Sequence, residues 1–174
     1  YEGGVRVPYI FRWPGRIQPG TTCTEPIISV DLYPTLLEIA GVERPAGYPL
    51  DGVSCAKLLA SDGRASMNRD ALFWHFPGYL DSPVPRGRDT AFRTRPVSVI
   101  RKGDWKLHLF HEEWQLDGGR ARLATNGAVE LYHLGNDMGE RTNLAQREPA
   151  KRDELLDALL AWMKSTNALV PSQT

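Results

Sequence analysis

A covalent hydrolase needs a nucleophile with a base in reach, so the cysteines come first. Cys23 stands in Thr22-Cys23-Thr24-Glu25-Pro26 and Cys55 in Ser54-Cys55-Ala56-Lys57. Neither context brings a histidine close, and both read as structural thiols. Without Cys-x-x-Cys spacing they fit buried or free thiols at least as well as a disulfide. No Gly-x-Ser-x-Gly elbow and no Walker A loop occurs. His108 and His111 are three apart at a strand or its end, where alternation turns them to opposite sides. His133 stands alone, and no HExxH or Cys/His cluster is present. Asn136-Asp137-Met138-Gly139-Glu140 is acidic but lacks EF-hand spacing and reads as a solvated loop. His75 carries the functional reading. It sits between Trp74 and Phe76 at the end of a strand that feeds a long loop, where pockets are built. The competing reading is a histidine satisfied by a backbone carbonyl. The loop, residues 78–95, holds Arg86, Arg88, Arg93 and Arg95 with Asp81 and Asp89. Guanidinium forks suit an anionic group; the plainer reading is solvated charge on a long connector.

The elements that must position these groups follow from periodicity. Residues 1–15 read as a Gly3-Gly4 turn running into a strand with Val5, Val7, Tyr9 and Phe11 on one face and Ile10 among the alternates. Apolar groups on both faces predict burial on both, which suggests a core strand at the start of a piece of something longer. Asp31 to Gly41 reads as a helix with Asp31 as N-cap, Pro34 in the first turn, an apolar face of Leu32, Leu36 and Ile39, and Gly41 as left-handed stop. Residues 54–60 make at most two helical turns. Residues 71–77 form a strand. Residues 96–101 and 104–110 form a hairpin about Lys102-Gly103, with Trp105, Leu107 and Leu109 inward and Lys106 and His108 on a wet face. Residues 129–134 form a further strand. Pro149 opens a final helix with Leu155, Leu156, Leu159, Leu160, Trp162 and Met163 on its apolar stripe. The fold class is thus an α/β fragment over residues 1–69, then a small α+β unit over 70–174 with a three- or four-stranded antiparallel sheet packed by the C-terminal helix.

Composition narrows the partners. Lys plus Arg and Asp plus Glu number 21 each in 174 residues, a net charge of zero. That speaks against a nucleic-acid module, where a basic excess is expected. No apolar run approaches the ~18 residues of a membrane span.

Several segments resemble one family, in that family's order. They are Tyr1-Glu2-Gly3-Gly4-Val5-Arg6-Val7-Pro8, Arg12-Trp13-Pro14-Gly15-Arg16-Ile17, Val30-Asp31-Leu32-Tyr33-Pro34-Thr35-Leu36-Leu37 and Leu50-Asp51-Gly52-Val53-Ser54. Leu72-Phe73-Trp74-His75-Phe76-Pro77, Ile100-Arg101-Lys102-Gly103-Asp104-Trp105-Lys106-Leu107, Glu130-Leu131-Tyr132 and Asn143-Leu144-Ala145 continue the match. Together they are similar to the C-terminal portion of the arylsulfatases. The resemblance implies an alkaline-phosphatase-like fold, hydrolysis of sulfate esters, a formylglycine nucleophile from a Cys/Ser-x-Pro-x-Arg motif, and a calcium ion held by Asp and Asn residues. Neither cysteine context fits that motif, and the family's sulfate-contacting lysine belongs just ahead of Tyr1. No catalytic residue and no metal ligand is therefore expected here, calcium belongs to the full-length enzyme, and the chain alone is expected to be inactive. His75, with Tyr79 nearby, matches the family's substrate-facing position. A sulfated small molecule or glycan is the implied substrate, and a periplasmic, extracellular or lysosomal site the implied location. Self-association through the apolar surface at the start is also expected. The competing readings are a phosphonate or phosphate ester hydrolase of the same superfamily, or a carbohydrate-binding or structural module using Trp74 and Phe76 to stack on sugars.

Overall fold

The computed structural model describes residues 1–78 and 95–171. The chain divides into two compact units, Tyr1–Arg6 with Ala71–Thr174, and Val7–Asp70.

The larger unit is built on strands β1 (Leu72–Phe76), β2 (Val97–Lys102), β3 (Trp105–Phe110) and β4 (Val129–His133). They form one antiparallel sheet in the order β1-β2-β3-β4. The β2–β3 hairpin turns at Gly103, which takes φ +58°, a value costly for a residue with a Cβ. Register fixes two faces. On one, Phe73, Ile100, Leu107 and Leu131 form a row across all four strands. On the other, Leu72, Arg101, Lys106 and Tyr132 line up, followed by Trp74, Val99, His108 and Glu130.

The C-terminal helix, residues Pro149–Ser165, covers the first face with buried Leu155, Leu156, Leu159 and Met163. Pro149 opens it, where a missing N–H costs nothing. Phe73 and Trp162 stack in parallel at 4.7 Å. The helix ends in a Schellman motif. Asn167 takes φ +49°, its N–H meets the Lys164 carbonyl, and the Ala168 N–H meets the Met163 carbonyl. A short helix, His111–Leu116, continues directly from β3.

The start of the chain departs from expectation. Glu2–Val5 is one helical turn, closed by Arg6 N–H on the Glu2 carbonyl, and residues 6–13 have no regular structure. Val7 and Ile10 are exposed, Ile10 at 93%. A doubly apolar strand needs strand neighbours on each side, and among the described residues none pairs with it. The Glu2 side chain is instead drawn inward and buried.

The smaller unit holds helices Leu32–Ala40 and Ala56–Ala60 around a core of Cys55, Leu58 and Met67. Gly41 ends the first at φ +65° as its sequence predicts. Its buried side is Pro34 and Thr35, however, while Leu36 and Ile39 face outward. Asp31 does not cap that helix through its side chain. It is fully buried, and its carboxylate accepts from Ile28 N–H (2.9 Å), Val53 N–H (3.0 Å) and Arg69 Nη1 (2.7 Å). Gly52 makes that approach possible: a Cβ there would lie 1.9 Å from the Val30 carbonyl oxygen.

Leu156 is fully buried between sheet and helix. Leu156→Ala is expected to cost about 2–5 kcal/mol, seen as a lower urea midpoint at unchanged m-value. A loss below ~1 kcal/mol would mean that this helix contributes little to the core.

Candidate functional site

The second face of the sheet carries charge where periodicity predicts water. Lys106 and His108 are 1% and 3% exposed. The correction has a physical reason: two carboxylates from distant parts of the chain cover them. Lys106 Nζ lies 2.8 Å from Glu2 Oε1 and 3.1 Å from Glu140 Oε1. His108 Nε2 donates to Glu140 Oε1 at 2.8 Å, and the Glu2 backbone N–H donates to Glu140 Oε2. Arg6 Nη1 stands 3.3 Å and Arg101 Nη1 4.0 Å from Glu2 Oε2. Tyr1 lies over His108 at 4.8 Å, and its hydroxyl donates to Glu130, which also accepts from Tyr132.

The Asn136–Glu140 segment is therefore anchored by a buried side chain. Glu140 holds φ +50°, a strained value for a residue with a Cβ that persists only where surroundings over-determine it. Asp137 supports the turn by accepting from the Arg141 and Thr142 N–H groups at 2.7 Å each.

Burial alone would raise both carboxyls. For Glu140 the His108 N–H, the Glu2 N–H and the Lys106 charge more than offset it, bringing the carboxyl down to about 2. For Glu2, burial is offset by Lys106, Arg6 and Arg101, and the carboxyl again falls. His108 is pushed down, first by burial and further by the Lys106 charge, against the pull of Glu140. The cluster is thus two carboxylates, an ammonium between them and a neutral imidazole. It does not fit calcium, since the ammonium fills the place a cation would take between the carboxylates. Among the described residues no group of three or more His, Cys, Asp or Glu is arranged to hold a metal. No described helix is long and apolar enough to cross a membrane.

Beside the cluster, the same face opens into a groove of about 480 Å³, with Trp74, Phe76, Val99 and Phe110 among its walls. Arg95 also lines it, and His75 borders it from β1, although its side chain falls with that of Phe73 on the helix-covered face. The Arg95 guanidinium stacks 3.7 Å over Phe110 and pairs with Glu113.

His75 is not isolated. Its Nδ1 is 2.7 Å from Ser98 Oγ, its Nε2 is 2.6 Å from the Leu169 carbonyl oxygen, and Ser98 Oγ is 2.8 Å from His111 Nε2. His111 is buried, and that burial, with the nearby His75, lowers it to about 4. His108 and His111 do separate, His108 to the ionic face and His111 to this array. Tyr79, Arg86, Arg88 and Arg93 lie outside the described residues. Cys23 and Cys55 are both free thiols, Cys55 buried against Thr35.

Alternation concealed Lys106, His108 and Glu140, because nothing local pairs them with Glu2. One signal was available. The segments Tyr1–Pro8 and Ile100–Leu107, quoted for the resemblance, supply Glu2, Arg6, Arg101 and Lys106.

An antiparallel sheet closed by a C-terminal helix and tied by ionic contacts to a Tyr-Glu-Gly-Gly turn is an α+β unit built from the segments that carry the resemblance. The family model "N-sulphoglucosamine sulphohydrolase, C-terminal" matches residues 1–166, and the chain belongs to that family. A sulfatase of Formosa agariphila is 36% identical over 97% of this chain and 29% of its own length. Human arylsulfatase A is 35% identical over 91% of this chain and 30% of its own. The chain spans about 30% of the length of these curated relatives. Among solved structures, a protein in complex with its substrate D-glucosamine-2-N,6-O-disulfate superposes with a TM-score of 0.62 at 25% identity. That match covers 88% of this chain and 27% of that one. The relatives' fold is alkaline-phosphatase-like.

Acid should weaken the buried histidines and then the ionic cluster in a defined order. His111 and His108 have lowered folded values, so their contributions are complete above their ordinary 6.5 and fade as pH falls, for His111 down to about 4. Glu140 is lowered from 4.5 to about 2, so its contribution is present above 4.5 and lost between 4.5 and 2. That last window is worth on the order of 3 kcal/mol. Urea midpoints from pH 7 to 2 should fall in both windows, and Glu140→Gln should shrink the lower one. Lys106→Met, which strands two buried carboxylates, should cost about 3–5 kcal/mol at pH 7. An unchanged midpoint for Lys106→Met would overturn the keystone role.

Proposed function

We propose that this chain is the C-terminal part of a sulfuric ester hydrolase and that it shapes and supports the substrate site. The observation that carries this reading is the family match over residues 1–166, combined with an ionic cluster built from the matching segments. Residues 1–69 form the end of the α/β sulfatase domain and residues 70–174 the C-terminal subdomain. The exposed apolar side chains of residues 7–48, such as Ile10, Leu36 and Tyr48, are covered by the rest of the parent. On its own the chain self-associates through them.

The nucleophile and calcium belong to the parent, where the metal would supply charge stabilisation at the sulfate oxygens. This chain contributes orientation. His75, at the end of β1 and on the margin of the groove, contacts the substrate, with Tyr79 following it. A sulfated small molecule or glycan fits the reading, since one structural relative was solved with a sulfated glucosamine. Sulfate ester chemistry is favoured over phosphate or phosphonate esters because the curated relatives are sulfatases.

The isolated chain should show no turnover of an aryl sulfate, and the parent should turn it over in preference to an aryl phosphate. Measurable sulfatase activity from the isolated chain would contradict its supporting role. In the parent, His75→Ala should raise KM roughly tenfold or more while leaving kcat within a few-fold.

A further inference from the structure

The hydrogen bonds at His75 fix one of its protons. A carbonyl only accepts, so His75 Nε2, 2.6 Å from the Leu169 oxygen, carries a hydrogen. Its Nδ1 is 2.7 Å from Ser98 Oγ. Ser98 Oγ is in turn 2.8 Å from His111 Nε2, so the hydroxyl links the two rings. Each of these side-chain atoms has a hydrogen-bond partner. Ser98 and His111 are buried, at 0% and 1% exposure, so neither has solvent to turn to.

The Leu169 end is different. The Leu169 side chain is 78% exposed, so its own burial does not hold the segment. Its main chain reaches His75 because Asn167 turns through φ +49° and returns the chain over the end of the helix. His75 is itself partly exposed.

We infer that Ser98 and His111 are positioning residues that hold the His75 ring with its Nε2–H directed outward, and that the Leu169 carbonyl occupies this donor in place of an anionic ligand oxygen. The inference rests on the reading of His75 as substrate-facing. A sulfate oxygen and a carbonyl oxygen are the same kind of acceptor, and the charged one makes the stronger bond. Lifting the Leu169 segment frees Nε2–H without disturbing the Ser98 side of the ring. The segment is therefore an internal competitor that lowers apparent affinity in proportion to its occupancy.

The test uses the parent enzyme with an aryl sulfate. Asn167→Pro cannot take a positive φ and loses the N–H that meets Lys164. It should lower KM several-fold at constant kcat, and should do nothing in a His75→Ala background. Asn167→Gly, which keeps the turn, should leave KM unchanged. Ser98→Ala should raise KM as much as His75→Ala and add nothing to it in the double variant; Ser98→Thr should restore it. If His75→Ala raises KM while Asn167→Pro and Ser98→Ala leave it alone, this inference is overturned and the reading of His75 stands. If His75→Ala itself leaves KM unchanged, both fall. Asn167 lies beyond the last helical turn, so its variant decides the competitor claim even if Ser98→Ala does not fold.

Discussion

The structure of the larger unit depends on one ammonium group held between two carboxylates. Moving charges of this size out of water costs several kcal/mol each, and mutual attraction repays it only where hydrogen bonds satisfy the remaining lone pairs. Lys106 meets that condition. Glu2 and Glu140 approach it from positions 104 and 34 residues away, His108 and the Glu2 N–H fill further acceptor sites on Glu140, and Arg6 and Arg101 flank Glu2. Removing any one member strands the others, so the turn at Tyr1–Val5, the middle of β3 and the loop after β4 hold together as a unit. The left-handed backbone of Glu140 is the local cost of that arrangement.

The two faces of the sheet solve burial in different ways. Under the C-terminal helix the solution is apolar contact, with Ile100, Leu107, Leu131, Leu156 and Leu159 at or below 1% exposure. One polar inclusion interrupts that face, the His75–Ser98–His111 array, whose members hydrogen-bond to one another. The opposite face is ionic. The smaller unit repeats the ionic strategy with Asp31, whose carboxylate gathers two backbone amides and the Arg69 guanidinium. In each unit a buried acid joins segments that no local pattern connects, as expected where the apolar core is too small to fix every loop.

This explains which parts were legible in the sequence. The strand 71–77, the hairpin about Gly103, the strand 129–134 and the helix from Pro149 follow from local periodicity and turn chemistry, and the fold realises them to within a residue or two. The wet face assigned to Lys106 and His108 was wrong because alternation specifies a face, not what covers it. Asp31 was read as a cap because capping is a local role, whereas its partners lie at Val53 and Arg69. Residues 5–11 have the composition of a buried strand, but composition cannot supply the neighbouring strands. Ser98 and His111 were invisible as partners of His75 for the same reason: register across β1 and β2, not sequence spacing, brings Ser98 opposite His75.

The most specific parts of the resemblance carry anchors rather than chemistry. Glu2, Arg6, Arg101 and Lys106 are charged residues in segments that mark a hydrolase family, yet each spends its charge on another buried side chain. A carboxylate held at about 2 by three donors is a poor general base, and an imidazole pushed down by burial is a poor acid at neutral pH. Strong pKa displacement in this cluster therefore signals rigidity, the alternative that must be weighed whenever shifted groups are used to locate active sites. His75 differs in kind. It is partly exposed, stands at a strand end, and its outward donor meets only a main-chain carbonyl of a turned-back segment, an acceptor that a ligand oxygen could replace without breaking the fold.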